Sequence, residues 1–196
     1  MNFMNGEIVP MSRTQATALS VVCVVSIILL SACGLKSASV SSEIPAASPV
    51  EVKLIDTTGK PAGTAMLKQQ ANGVLVHIQA TGLTKGKHGF HFHEAGKCEA
   101  PTFKSAGEHF NPTQKEHGFN NPKGFHGGDL PNLVADAKGQ ATAEIFVDYV
   151  TLAEGKPNSL LKEGGTSIII HTGEDDYVTN PAGNSGDRAL CGVISK

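Results

Sequence analysis

Gly89-Phe90-His91-Phe92-His93-Glu94 alternates aromatic and imidazole side chains, and that alternation dictates how the chain runs there. In an extended strand, side chains two apart share a face. His91 and His93 therefore stand together, roughly 6–7 Å apart at the backbone. Phe90 and Phe92 point the opposite way, towards a core. Downstream come His109, His117, His126 and Asp129, so five of the eight histidines fall between Gly89 and Leu130, and His171 follows later. Imidazole nitrogens and carboxylate oxygens are the donors that borderline divalent metals prefer. Six donors in one stretch are too many for one ion and suit two four-coordinate ions with a shared ligand. The segments around them, His109-Phe110-Asn111-Pro112, His117-Gly118 and His126-Gly127-Gly128-Asp129, offer few apolar residues. A metal can take the place of the missing core.

Both flanks read as strands. Val50–Asp56 alternates, Thr57–Pro61 turns, and Gly63–Gln70 and Val74–Ala80 flank Asn72-Gly73, a strong hairpin signal. His77 lies on the polar phase of its strand and is expected to be exposed. The ligand strand is predicted over His88–Glu94. Leu133–Asp136 and Ala141–Val147 form a second hairpin, and Leu160-Leu161, Ser167–His171 and Ala189–Ile194 complete a set of about eight strands. No segment carries a long 3.6-residue stripe. Many short strands at this spacing predict an all-β sandwich or barrel. Two long loops interrupt it, about 94–130 and 172–187, and long loops in compact domains are usually functional.

Composition narrows the class. The 196 residues are 40% hydrophobic and 17% charged with a net charge of −2. That suits one domain and, without basic runs, excludes nucleic acid as a partner. The start of the chain is an address. Ala16–Leu30 is almost wholly apolar, follows Arg13, and ends in Leu30-Ser31-Ala32-Cys33-Gly34. About fifteen apolar residues match a secretory signal and fall short of the ~20 of a membrane span. The ending is similar to a bacterial lipobox, so residues 1–32 are expected to leave, with Cys33 taking a diacylglyceryl thioether. The alternative is an ordinary signal peptide with a chance cysteine. Residues 33–49 read as a Ser/Ala/Pro-rich tether and 50–196 as the domain. The expected location is extracytoplasmic, anchored by lipid to the cell membrane, or periplasmic if the host has two membranes. Cys98 and Cys191 then remain, a pair that outside the cytoplasm is normally a disulfide; two buried free thiols are the alternative.

Gly89–Glu94, Gly107–Pro112, His126–Leu130, His171 and Gly183–Val193 together resemble the copper/zinc superoxide dismutases, over essentially all of 50–195. The placing of Cys98 five residues after His93 is similar to the bacterial branch. The resemblance implies an eight-stranded Greek-key β-barrel and an enzyme that disproportionates superoxide into dioxygen and hydrogen peroxide. It implies copper on His91, His93, His109 and His171, and zinc on His109, His117, His126 and Asp129. His109 would be the shared imidazolate and a catalytic proton carrier, with Arg188 the anion-guiding residue. Asp175 would link His91 to His117, and His88 would be structural. Either a monomer or a homodimer is compatible with the family.

Two positions depart from the family pattern. Asp187 stands beside Arg188 where many relatives carry a small uncharged residue, and Ala182 replaces a channel-lining threonine of the eukaryotic branch. The loop 172–187 also lacks lysines. A catalytically weak or inactive, zinc-stabilised copper-binding lipoprotein is the alternative function.

Overall fold

The computed structural model describes residues 48–196, so the expected signal, the lipidation site at Cys33 and most of the tether lie outside the described residues. Nine strands follow in order: β1 (Val50–Asp56), β2 (Pro61–Gln70), β3 (Gly73–Ala80), β4 (Gly86–His88), β5 (Phe90–His93), β6 (Leu133–Ala135), β7 (Ala141–Val147), β8 (Thr166–His171) and β9 (Arg188–Ile194). All pairings are antiparallel, in a seven-stranded sheet β5-β8-β9-β1-β2-β3-β7 and a two-stranded pair β4-β6, with β6 packed beside β7.

The expected single strand over His88–Glu94 breaks at Gly89. Here the backbone leaves β6 and joins β8, and a side chain would meet Ser185, since an added Cβ would lie 2.6 Å from the Ser185 Cβ. Counted as one bent strand, β4 and β5 close the row into the expected eight-stranded barrel with Greek-key crossovers. Leu160-Leu161 is not a strand. Only Ser159 pairs, with Thr151, and Leu160 is a buried plug under a turn. Two apolar residues alone carry no alternation to commit the backbone.

Strand alternation sends Val52, Leu54, Leu67, Val74, Val76, Ile78, Phe90, Phe92, Ile168, Ile170 and Leu190 inward to one core. Each such side chain stabilises by about 1.5–3 kcal/mol. His77 faces out, half-buried rather than free. Strands β5 and β8 are buried on both faces, because the loop after β5 folds back over them. That loop runs along the open edge of β5: the Phe92 amide donates to Gly128 O (2.8 Å) and the Phe110 amide to Phe92 O (2.9 Å). Gly128 is required there, since a Cβ would sit 2.2 Å from Phe92 O. This edge pairing puts His109 opposite His93 and Asp129 opposite His91.

Candidate metal centre

Four imidazoles meet over the outer face of β5 and β8. His91 and His93 come from β5, His171 from the end of β8, and His109 from the returning loop. Their donor atoms all lie within 4.8 Å of one another. Three rings are locked from behind: His91 Nε2 lies 2.8 Å from Asp175 Oδ2, His93 Nδ1 2.9 Å from Gly107 O, and His171 Nδ1 3.0 Å from Gly186 O. Each oxygen accepts that ring's one proton, which leaves the other nitrogen with its lone pair. Those nitrogens, His91 Nδ1, His93 Nε2 and His171 Nε2, together with His109 Nε2, are buried and have no hydrogen-bond partner. Buried polar atoms without partners are rare and costly. Four converging on one spot fit a cation.

A second donor set lies behind His109. Asp129 Oδ1 is 2.9 Å from His109 Nδ1, 3.0 Å from His117 Nδ1 and 3.2 Å from His126 Nδ1. His126 Nδ1 and His109 Nδ1 are 3.3 Å apart. Bonds of ~2.0–2.1 Å in a tetrahedron place neighbouring ligands about 3.3 Å apart, so the set has the dimensions of a closed zinc-type site. His91, His109, His117 and Asp129 also fall within 4.8 Å. His91 nevertheless belongs to the first set, because its Nε2 is committed to Asp175. His109 alone faces both sets, one ring nitrogen to each.

Asp175 lies between the two sets, with Oδ2 on His91 and Oδ1 3.0 Å from His117 Nε2. Sequence reasoning did not find what holds Asp175. The Asn132 side chain clamps its backbone from both sides: Nδ2 donates to Asp175 O and Oδ1 accepts from Asp175 N, both at 2.9 Å. Tyr177 accepts the Asn132 amide through its hydroxyl (2.6 Å), and Tyr149 donates to Asp129 O (2.6 Å). An asparagine after Leu130-Pro131 carries no local signal of that role. His88 is structural as expected, its two ring nitrogens 2.7 Å from His171 O and 2.8 Å from Thr84 O.

Burial sets the protonation states. It drives His91 down to about 3, His109 adding to the effect, and His171 down to about 4. His93 is held well below the usual imidazole range by the same burial. Neutral rings are the form a metal takes. Burial would raise Asp129, but the rings of His109, His117 and His126 and the Gly118 amide override it and hold the carboxyl far below the usual range. Burial lowers His117 too, yet Asp129 and Asp175 outweigh it and raise the ring to about 9.

The signs then follow. Rings depressed below the unfolded value near 6.5 contribute stability that is complete above about pH 6.5 and lost as the pH falls through 6.5 towards 3–4. Raised His117 contributes stability that is complete below about pH 6.5 and lost as the pH rises through about 9. The metal-free protein is therefore expected to unfold at lower denaturant at pH 4.5 than at pH 7, with a smaller decline as the pH rises from about 6.5 to about 9. Equal midpoints at pH 4.5 and 7 in urea titrations would contradict this assignment.

Arg188 opens β9 at the mouth. Its Nη1 donates to Phe103 O (2.7 Å) and its Nη2 to Gly107 O (2.6 Å). Gly107 O thus serves both the arginine and His93, which couples the mouth to the histidine pocket. The loop supplying these carbonyls is fastened to β9 by a disulfide between Cys98 and Cys191, with Cα atoms 5.7 Å apart. Thr57, Lys104, Glu108, Asp187 and Arg188 line the cavity above; Ala182 is not among its walls. Lys104 supplies a cation that the 172–187 loop lacks, and Asp187 and Glu108 oppose it.

Comparison with known proteins agrees with this geometry. The copper/zinc superoxide dismutase family profile matches residues 61–194. The chain is 48% identical over 159 residues to superoxide dismutase [Cu-Zn] 2 of Aquifex aeolicus, covering 81% of this chain and 91% of the relative. It is 46% identical over 139 residues to superoxide dismutase [Cu-Zn] of Caulobacter vibrioides, with 69% and 79% covered. Among solved structures, a double mutant of a SOD-like protein from Bacillus subtilis superposes with a TM-score of 0.74 at 44% identity, covering 76% of this chain and all (100%) of that one. Cu/Zn superoxide dismutase from Brucella abortus gives a TM-score of 0.61 at 30% identity, with 74% and 99% covered.

Proposed function

This chain belongs to the copper/zinc superoxide dismutase family, and on that basis we propose how its two donor sets and its mouth divide the work of the enzyme. The reaction is disproportionation of superoxide into dioxygen and hydrogen peroxide. Copper is assigned to His91, His93, His109 and His171, and zinc to His109, His117, His126 and Asp129. The observation that carries the assignment is the set of four buried ring nitrogens without partners, all aimed at one point. Copper there supplies one-electron redox chemistry, while zinc supplies charge and shape.

The protein's own groups do the rest. His109 holds Nδ1 against Asp129, which leaves Nε2 as the atom able to take up and release a proton at the pocket. Arg188, pinned on two carbonyls, keeps a fixed positive charge where an anion enters. Asp175 orients His91 and His117 together. A positive pocket in a protein of net charge −2 suits steered encounter, whose rate falls with salt.

The test is superoxide consumption by copper- and zinc-loaded protein. The wild type turns over and His93→Ala does not; copper binding without turnover would favour the non-enzymatic alternative. Asp187 is exposed beside Arg188 and repels the incoming anion. Asp187→Ala is expected to raise kcat/KM by about two- to threefold at low salt, with the gain fading as salt rises. An unchanged or lower value in stopped-flow assays would sink that reading.

The chain's location is part of the same proposal. The apolar Ala16–Leu30 and the Leu30–Gly34 motif support cleavage before Cys33 and lipidation of its thiol, which holds the enzyme on the outer side of the membrane. Cys33→Ser should move the protein to the soluble fraction. Sedimentation of the released form distinguishes monomer from homodimer.

A further inference from the structure

On the outer wall of the barrel, far along the sheet from the ligand strands, three side chains stand in one row. Met66 on β2 is in register with His77 on β3, and His77 with Glu144 on β7. Alternation turns all three outward: their neighbours Ala65, Leu67, Val76 and Ile78 are buried, whereas Met66 and His77 are half-buried and Glu144 is exposed. Directly opposed residues have Cβ atoms about 4.5–5.5 Å apart, so thioether, imidazole and carboxylate lie abreast within reach of one ion. The same three side chains, with Leu75 and Lys68, wall one small surface cavity. Glu144 joins no ion pair among the described residues. Of the chain's four methionines, Met66 is the one within residues 48–196, and it stands opposite the outer-face histidine.

We propose that Met66, His77 and Glu144 form a surface site for a soft monovalent metal ion, copper(I) by the chemistry of its donors, separate from the buried histidine pocket. Thioether sulfur selects copper(I) over zinc, magnesium or calcium, imidazole is a second donor it accepts, and the carboxylate neutralises its charge. Both long side chains are flexible enough to lean over the imidazole between them. Lys68, diagonal to His77, is the charge that opposes binding and keeps the site weak.

The experiment uses the protein from residue 33 onward as the Cys33→Ser form, which has no free thiol and Met66 as its one methionine, with its buried sites filled with copper and zinc. Silver(I) nitrate, a redox-inert probe for copper(I), is titrated in chloride-free buffer. The Met66 methyl and His77 ring signals are followed by NMR. Both signals should move together and saturate at one equivalent of silver. Met66→Leu, which conserves volume on an outward face, should weaken the His77 response by roughly tenfold or more, and Lys68→Ala should strengthen it. A Met66 methyl that stays put while silver is consumed overturns the site. So does a His77 response unchanged in Met66→Leu.

Discussion

Asp129→Ala should abolish zinc retention and lower the unfolding free energy of the metal-free protein by on the order of 3–5 kcal/mol. The carboxylate is wholly buried, and every lone pair has a use. Oδ1 faces His109, His117 and His126, while Oδ2 accepts the amides of Gly118 (2.9 Å) and His126 (3.0 Å). Truncation removes the one anion among three imidazoles and strands two buried amides, each of which costs about 1–3 kcal/mol when unpaired. It also frees the loop that returns along β5, so His109 should lose its alignment with the other three rings. Asp129→Asn separates the effects: an amide oxygen can still accept one stranded amide, so folding recovers in part while zinc affinity stays low. Metal analysis after dialysis and urea unfolding of both variants measure this. An alanine variant that kept stoichiometric zinc, or lost less than about 1 kcal/mol, would remove Asp129 from the centre of the site.

Removing the disulfide is the second large effect. Cys98→Ala with Cys191→Ala opens a loop closed over a sequence separation of 93 residues. On the chain-entropy account this costs about 4–5 kcal/mol. The consequence for chemistry is more selective. The loop that Cys98 fastens carries Phe103 O and Gly107 O, which pin Arg188 and orient His93. Phe103 and Ala106 pack on Cys191 and Ile169 beneath it. Freed from β9, that loop should let the guanidinium wander. The expected result is a fall in kcat/KM with a flattened salt dependence, while zinc content stays near one per chain because three of the four zinc-type donors, His117, His126 and Asp129, lie beyond that loop, and His109 is held separately by the pairing of Phe110 with Phe92. Differential scanning calorimetry and stopped-flow assays at two ionic strengths read both quantities. A variant with the wild-type melting temperature, or with lowered stability and an unaltered salt slope, would break the link between this loop and the mouth.

Between these two effects lies the coupling that Gly107 provides. One carbonyl receives Arg188 and His93, and a Cβ at residue 107 would press on the Glu94 side chain, 2.6 Å from its Oε1. With φ at 73°, the position also favours glycine on conformational grounds. The mouth and the pocket therefore share a backbone atom rather than a side chain.

Much of this was legible in the chain itself. Period-two alternation in Val50–Asp56, Val74–Ala80 and Ala141–Val147 set the strands, and the residue types between Gly89 and Leu130, with His171, supplied the donors that the structure gathers into two metal-type sets. These are properties of side-chain identity and near-neighbour spacing, which need no fold to read. Other features needed the closed barrel. The break at Gly89 depends on which partner each half of the strand finds. The choice of ring nitrogen on His91, His93, His171 and His109 depends on Asp175, Gly107, Gly186 and Asp129, none of them a near neighbour along the chain. Asn132 clamping Asp175, and Met66 standing beside His77 and Glu144, exist only because strand register and loop return bring those segments together. Donor chemistry is carried by each residue alone; the direction in which a lone pair points is decided by contacts between residues far apart in sequence.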